Sequence, residues 1–125
     1  ILVVDDHQDL QDILRDVLEH EGHKVDSAPN GEVALTMCLA HPPDLLLTDL
    51  EMPLMTGTDL IQALKDRYPM ERIILHSGGF REHQLGPLRT TLGIGAVFQK
   101  PISLNLLKTT IRQLLATPTE VSVKG

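Results

Sequence analysis

The stretch DLLLTDLEMPLMTG, residues 44–57, contains the pattern that decides the fold. Its three consecutive leucines show no polar residue at alternate positions, which predicts a strand buried on both faces. Such strands belong to parallel sheets that helices cover on both sides. Asp49 stands at the carboxyl end of this strand, and Gly57 closes the loop that follows. The stretch therefore predicts an α/β sheet with a carboxylate at the end of a buried strand.

Other apolar runs alternate with stretches of helical period on both sides of this strand. The positions Leu10, Ile13, Leu14, Val17 and Leu18 follow the spacing of a helix with one buried face. The same reasoning predicts βα units along the whole chain. We predict strands at residues 1–4, 24–28, 44–48, 72–76 and 96–98, and helices at residues 10–18, 33–40, 58–67 and 104–115.

The segment from residue 77 to 93 is less regular than the rest, because it is rich in glycine and contains Pro87. The pattern predicts a long loop and a shortened fourth helix, with Pro87 in its first turn and its end near Leu92. Residues 117–125 show no periodicity. We predict one domain over residues 1–116, followed by a tail or linker at 117–125.

The composition limits the classes of function. A chain of 125 residues is long enough for one domain with its own core. A net charge of −6 and only three aromatic residues provide neither a basic surface nor a stacking platform, so direct nucleic acid binding is not expected. No apolar run has the length of a membrane span, so no membrane partner is expected. The start at Ile1, without Met, suggests a part of a longer polypeptide.

Cys38 is the single cysteine, and it lies beside leucines in a predicted helix. We interpret it as a small buried apolar side chain rather than a nucleophile or a ligand. No disulfide can form within the chain, which fits a reducing cytoplasm. His7 follows an acidic pair directly. It could contact the water molecules of a bound metal, but we favour a loop residue without a function.

Polar residues stand at the carboxyl ends of the predicted strands: Asp5 and Asp6, Asp49, Ser77 and Lys100. These ends open onto one edge of a parallel sheet, so the side chains should converge there. Mg²⁺ prefers a few carboxylate oxygens and keeps several waters, which leaves room for a phosphoryl oxygen. Taken singly, each residue would be an ordinary turn or capping residue. The combination predicts a site for a divalent metal and a phosphoryl group.

The motifs ILVVDD, DLLLTDLEMPLMTG, IILHSGG and LGIGAVFQKP occur in this order over nearly the whole chain. On these motifs the sequence resembles the receiver domains of bacterial two-component response regulators, which have the CheY-like fold. The resemblance implies that Asp49 is the phosphoacceptor. It also implies that Asp5, Asp6 and Asp49 hold Mg²⁺ together with the backbone carbonyl of Glu51.

The resemblance further implies that Ser77 and Lys100 contact the phosphoryl oxygens and that the bond between Lys100 and Pro101 is cis. The sequence departs from the family in two respects, of which one is the glycine- and proline-rich segment at residues 77–93 and the other is at position 97. An aromatic residue often stands three positions before the lysine, whereas this chain has Val97 there. Phe98 cannot replace it, because the next residue along a strand points to the opposite face.

With this resemblance, the predicted fold class is α/β, a flavodoxin-like doubly wound five-stranded parallel sheet with strand order 2-1-3-4-5 and helices on both faces. The predicted function is that of a two-component phosphoacceptor. The chain would take a phosphoryl group onto Asp49 from a sensor histidine kinase or a histidine phosphotransfer protein, switch conformation, and lose the group by hydrolysis. It would be a cytoplasmic regulatory domain, not an enzyme, that assists only its own phosphorylation and dephosphorylation. Whether an effector or kinase domain is covalently linked to it stays open.

Two other classes of function remain as alternatives. A phosphohydrolase of the haloacid dehalogenase type would use Asp49 as its nucleophile. Such enzymes carry a second Asp two residues later, where this chain has Glu51, and the chain is too short for a cap domain. A flavodoxin-like cofactor binder is disfavoured, because aromatic residues to enclose a flavin are nearly absent.

Overall fold

The computed structural model describes residues 1–79 and 82–116, and it describes no side chains at 82–86. Within these ranges, strands and helices alternate. The strands are Leu2–Val4 (β1), Asp26–Ala28 (β2), Leu46–Asp49 (β3), Ile73–Ser77 (β4) and Ala96–Gln99 (β5). The helices are Gln8–His20 (α1), Gly31–Ala40 (α2), Gly57–Leu64 (α3), Glu82–Leu92 (α4) and Leu104–Ala116 (α5). A short 3-10 helix, Met70–Arg72, precedes β4.

The strands form one parallel sheet in the order β2-β1-β3-β4-β5, which confirms the predicted fold class and strand order. β3 is central: Leu46 lies opposite Leu2 of β1 on one side and opposite Ile73 of β4 on the other. All of these pairings are parallel. The carboxyl ends of the strands therefore share one edge of the sheet, which we call the carboxyl edge.

The sheet has a hydrophobic core on each face, because successive strand residues point to opposite sides. On one face, Leu46 and Leu75 pack with residues of α2, α3 and α4. On the other face, Leu47 and Ile74 pack with residues of α1 and α5. All of these leucine and isoleucine side chains are fully buried. The absence of alternation in the leucine run is thus explained by helices on both faces of β3.

The local sequence fixes where two of the helices begin. The side chain of Asn30 accepts a hydrogen bond from the backbone N–H of Val33 at 2.9 Å, which caps α2. Thr56 and Asp59 form a reciprocal capping box at the start of α3. Because of this cap, α3 begins at Gly57, slightly earlier than predicted, and it also ends earlier, at Leu64.

The prediction of a shortened fourth helix was wrong. α4 runs over Glu82–Leu92, and Pro87 lies inside it rather than in its first turn. A proline costs a helix one backbone hydrogen bond. Here Leu88 and Leu92 pack against the core, so tertiary contacts outweigh the local preference. The glycine-rich stretch before α4 includes residues 80 and 81, which lie outside the described residues, as does the predicted tail at 117–125.

The remaining sequence expectations for the core are confirmed. Val97 packs with the core on the α2, α3 and α4 face, and Phe98 packs on the opposite face. Phe98 therefore does not occupy the place of the missing aromatic side chain. Cys38 is buried in α2, and burial raises the pKa of its thiol to about 11, which keeps it protonated and unreactive. In the part of the chain that the structure describes, no helix is both long and apolar enough to span a membrane.

Candidate functional site

Two carboxylates and one ammonium group meet at the carboxyl edge of the sheet. Asp5 follows β1, Asp49 is the last residue of β3, and Lys100 follows β5. The Nζ atom of Lys100 lies 3.1 Å from Oδ2 of Asp49 and 3.4 Å from Oδ2 of Asp5. Both carboxylates are buried, whereas the Lys100 side chain is 22% exposed. The fold thus brings together three residues that are far apart in the sequence and that the sequence predicted to converge.

The charges in this site do not balance. Burial and the neighbouring Asp5 carboxylate raise the pKa of Asp49, and the hydrogen bond from Lys100 opposes this only in part. Burial alone would lower the pKa of Lys100, but the hydrogen bond to Asp49 and the charges of both carboxylates outweigh it, so that pKa is raised. One ammonium group is therefore shared by two buried carboxylates. A divalent cation would supply the missing positive charge.

Asp6 and His7 complete the acidic cluster. Carboxylate oxygens of Asp5, Asp6 and Asp49 and the Nδ1 atom of His7 all lie within 4.8 Å of one another. Converging carboxylate oxygens of this kind fit a hard cation such as Mg²⁺. The His7 Nδ1 atom is 3.0 Å from Oδ1 of Asp5 and 3.1 Å from Oδ1 of Asp6. His7 therefore lies at the acidic cluster, as the less favoured interpretation of the sequence allowed.

Ser77 joins the site through the side chain of Glu51. Ser77 is the buried last residue of β4, and its hydroxyl group donates a hydrogen bond to Oε2 of Glu51. The backbone N–H of Gly78 donates to Oε1 of the same carboxylate at 3.3 Å. The backbone N–H of Glu51 donates to Oδ1 of Asp49 at 3.2 Å. Glu51 thus connects Asp49 with Ser77, whereas the sequence considered only its backbone carbonyl.

The loop after β3 passes close to the backbone of Asp49. A Cβ atom on Gly57 would lie 2.3 Å from the carbonyl oxygen of Asp49, a distance that no side chain can occupy. The N–H of Gly57 donates to the carbonyl of Leu50 at 2.9 Å. Only glycine permits this close approach. The sequence interpretation of Gly57 as scaffold for the loop agrees with this contact. The bond between Lys100 and Pro101 is cis, as predicted.

Two buried polar residues beside the site were missed in the sequence. Gln11 of α1 donates from Nε2 to the carbonyl oxygen of Asp5 and, at 3.0 Å, to that of Ala28. It holds the end of β1 against the end of β2. Its position on the buried face of α1, with Leu14 and Leu18, could have identified it. His76 could also have been found, as a polar residue that directly follows the apolar run Ile73–Leu75 within β4.

His76 is fully buried, and neither of its ring nitrogens has a hydrogen-bond partner among the described residues. Its Nε2 atom lies 3.8 Å from Oδ2 of Asp5. Burial, and then the positive charge of Lys100, lower the pKa of His76 to about 4, and Asp5 opposes this only in part. The imidazole is therefore neutral at neutral pH.

This buried imidazole should make the fold sensitive to acid. Between about pH 6.5 and the folded pKa of about 4, the unfolded chain binds a proton at His76 that the folded chain does not. This proton uptake lowers the free energy of unfolding as the pH falls from about 6.5 to about 4, by about 3 kcal/mol in all. Above the unfolded pKa, His76 causes no such loss. Urea unfolding across this range should show that His76→Leu loses less stability than the wild type. Equal losses of stability in the two proteins would contradict a neutral, buried His76. His41→Leu, at an exposed position, is the control.

The profile of the response regulator receiver domain family matches residues 1–112. The chain therefore belongs to this family, whose members are receiver domains of two-component systems and have a regulatory role. Membership agrees with the resemblance found in the sequence, and these comparisons give no support to the haloacid dehalogenase alternative.

The chain is similar to several curated proteins. It is 36% identical over 122 residues to an uncharacterized 14.6 kDa protein of Leptolyngbya boryana, covering 94% of this chain and 92% of that protein. It is 31% identical to the response regulator SaeR of Staphylococcus aureus over 92% of this chain and 50% of SaeR. It is also 39% identical to the sensor histidine kinase TmoS of Ectopseudomonas mendocina, over 54% of this chain but only 7% of TmoS. The chain thus spans half or less of the latter two proteins.

Solved structures show the same fold. The receiver domain of NtrX from Brucella abortus superposes with a TM-score of 0.83 at 24% identity, covering 94% of this chain and 98% of that one. The response regulator TrrA from Thermotoga maritima, in complex with Mg²⁺ and BeF, superposes with a TM-score of 0.79 at 28% identity, covering 90% of this chain and 96% of TrrA. An acidic cluster of Asp5, Asp6, His7 and Asp49 lies at the carboxyl edge of this chain.

Proposed function

We propose that this chain accepts a phosphoryl group onto Asp49 from a phosphohistidine and changes its conformation in response. The observation that carries the proposal is the contact of 3.1 Å between the buried carboxylate of Asp49 and the ammonium group of Lys100. A carboxylate can act as a nucleophile toward a phosphoryl group. The adjacent cation can neutralise the charge that spreads over the transferred oxygens.

In this proposal, Mg²⁺ is held by the carboxylates of Asp5, Asp6 and Asp49 and by the backbone carbonyl of Glu51. When bound, Mg²⁺ would neutralise negative charge on the phosphoryl oxygens. The crowding of carboxylate oxygens within 4.8 Å supports this set, as does the complex of the similar protein TrrA with Mg²⁺ and BeF.

In the transfer step, a carboxylate oxygen of Asp49 attacks the phosphorus atom in line with the P–N bond of the donor. The new P–O bond forms as the P–N bond breaks, and the electron pair returns to the imidazole nitrogen of the donor. Lys100 stabilises the transferred oxygens by charge, and Ser77 donates its hydroxyl hydrogen to one of them. Later attack by water hydrolyses the acyl phosphate and restores Asp49. The chain thus assists its own phosphorylation and dephosphorylation and otherwise acts as a regulatory domain.

The donor in this proposal is a sensor histidine kinase or a histidine phosphotransfer protein in the cytoplasm. Similarity to the sensor histidine kinase TmoS and to the response regulator SaeR supports a two-component setting. Because the chain spans only part of these proteins, a covalently linked effector or kinase domain is part of the proposal.

An apolar groove beside the site offers a surface for the donor. It has a volume of about 470 Å³ and adjoins the ammonium-bearing Lys100. Leu10 and Ile13 of α1 line it on one side, and Ile102 and Leu104 line it on the other. Ile13 is 50% exposed, so part of this apolar lining faces the solvent. A helix with an apolar face could place its phosphohistidine over Asp49 from this groove.

Labelling of the wild-type protein tests the proposed function. Incubation with acetyl phosphate and Mg²⁺ should add one phosphoryl group, which mass spectrometry should locate on the peptide that contains Asp49. The bond should be cleaved by hydroxylamine, as expected of an acyl phosphate. Absence of label, or label on a peptide without Asp49, would contradict the proposal.

The metal site leads to a separate prediction. Asp5→Asn removes one buried carboxylate charge, so the affinity for Mg²⁺ should fall on the order of tenfold or more. Calorimetric titration of the unphosphorylated protein measures this directly. Asp44→Asn is the matched control, because Asp44 is an exposed aspartate before β3, at the opposite edge of the sheet. Equal Mg²⁺ affinities of the Asp5 variant and the wild type would remove Asp5 from the metal site.

A further inference from the structure

The carboxylate of Glu51 occupies hydrogen-bond donors at the carboxyl end of β4. It accepts the hydroxyl hydrogen of Ser77 and, at 3.3 Å, the backbone N–H of Gly78. The N–H of Gly79 in turn donates to Oγ of Ser77 at 3.1 Å. A Cβ atom on Gly79 would lie 3.0 Å from Oε2 of Glu51, so the carboxylate lies directly against the glycine pair. An anion of this chain is thus bound where the proposed function requires an oxygen of the phosphoryl group.

The main chain of the same residue is tied to the acceptor. The N–H of Glu51 donates to Oδ1 of Asp49 at 3.2 Å, so the residue spans the distance from Asp49 to Ser77. Ser77 is fully buried, whereas Glu51 is an exposed residue. The Ser77 hydroxyl cannot leave the site for water, but the Glu51 side chain can. Exchange of one acceptor for another at Ser77 therefore requires only a rotation of Glu51.

We propose that the Glu51 carboxylate is a built-in competitor of the phosphoryl group, which holds Ser77 and Gly78 in the unphosphorylated arrangement until Asp49 is modified. This inference rests on the proposed function. A phosphoryl group brings a charge of about −1.5 to −2 and three strong acceptor oxygens, so it both repels Glu51 and offers Ser77 a better acceptor. Release of Glu51 then frees the start of the segment that leads to α4.

The competition has a thermodynamic consequence. A ligand shifts a two-state equilibrium only by its difference in affinity for the two states. The contacts of Glu51 stabilise only the unphosphorylated state, so they weaken the apparent affinity for a phosphoryl group or its mimic. Removal of the carboxylate should therefore strengthen that affinity, although it deletes two hydrogen bonds from the unmodified protein.

The contact itself is tested in the unmodified protein without metal. The amide proton of Gly78 is followed by NMR in the wild type, in Glu51→Ala and in Glu51→Gln. Loss of the carboxylate acceptor should shift the Gly78 resonance and speed its hydrogen exchange in Glu51→Ala, with a smaller change in Glu51→Gln. Glu71→Ala is the control, because it removes the same charge in the 3-10 helix before β4, at the opposite edge of the sheet. If the chemical shift and the exchange rate of the Gly78 amide are the same in all four proteins, the inference is overturned.

The competition is tested by titration with beryllofluoride in saturating Mg²⁺. We expect affinities about fivefold or more tighter in Glu51→Ala than in the wild type, an intermediate value in Glu51→Gln, and no change in Glu71→Ala. Unchanged or weaker binding by Glu51→Ala, with normal binding by the wild type, would overturn the inference and leave the proposed function intact. If the wild type itself binds no beryllofluoride and takes no label, the proposed function fails, and the inference fails with it.

Discussion

The Asp49→Asn protein should take up no phosphoryl group from acetyl phosphate or from a phosphohistidine donor, while it remains fully folded. An amide oxygen has the shape of the carboxylate but lacks the charge that makes it a nucleophile. Of the two aspartates that Lys100 contacts, Asp49 is the closer, at 3.1 Å compared with 3.4 Å for Asp5. Autoradiography after incubation with labelled donor measures the uptake.

The stability of the Asp49→Asn protein should show that its loss of phosphorylation does not result from a loss of the fold. Burial and the charge of Asp5 raise the pKa of Asp49, so above its ordinary pKa the ionised side chain destabilises the folded state. The neutral Asn should remove this cost, and Asp49→Asn should melt no lower than the wild type at neutral pH without metal. Asp16→Asn, at an exposed position of α1, is the control for both measurements. Labelling of Asp49→Asn to the level of that control would show that another residue is the acceptor.

Lys100→Ala should slow labelling by acetyl phosphate on the order of 10²-fold, which is the cost of removing one donor aimed at developing charge. The reason is geometric, since its Nζ atom lies within 3.4 Å of both buried carboxylates. Its raised pKa keeps the ammonium group charged throughout the neutral range, so the effect should not depend on pH there. Rates are measured from the time course of the mass increase.

The same variant should change how the metal affects stability. Without Lys100, two buried carboxylates face each other with no cation, so the melting temperature in the absence of metal should fall below that of the wild type. Mg²⁺ should restore more stability to the variant than to the wild type. Lys108→Ala in α5 is the control for the loss of one partly buried lysine, because its Nζ atom lies 3.9 Å from Glu21 rather than near the acidic cluster. A variant with unchanged labelling and unchanged NMR shifts on adding beryllofluoride would show that Lys100 does not contact the phosphoryl group.

The sheet and the convergence of the site residues could be predicted from the sequence, because both depend on patterns that are visible in the order of the residues. The apolar runs that end in Asp49 and in the residue before Lys100 locate the strand ends, and parallel topology brings those ends together. The role of Pro87 was predicted wrongly, because local preference places proline at a helix start. In the structure α4 begins earlier, at Glu82, and Leu88 and Leu92 of this helix pack against the core.

Other parts of the site could not be predicted in this way. Glu51 contacts Ser77 through a loop whose path depends on the close approach of Gly57 to Asp49, and no periodicity describes such a path. The neutral state of His76 results from complete burial and from the nearby charge of Lys100, which become visible only when the strands are paired. These contacts depend on side-chain directions across the sheet, which the order of residues alone does not specify.

The chemistry and the stability of this domain depend on different residues of the same strands. The beginning of β3 provides buried leucines, whereas its last residue, Asp49, provides the carboxylate that we propose as the phosphoacceptor. A cell that carries both the wild type and the Asp49→Asn chain would therefore contain a folded variant that cannot be phosphorylated, which we call the decoy. If the proposed function holds, the decoy binds the phosphohistidine donor without accepting its phosphoryl group, so it should reduce phosphorylation of the wild-type copy. Loss of function at Asp49 should for this reason be dominant when the variant is in excess.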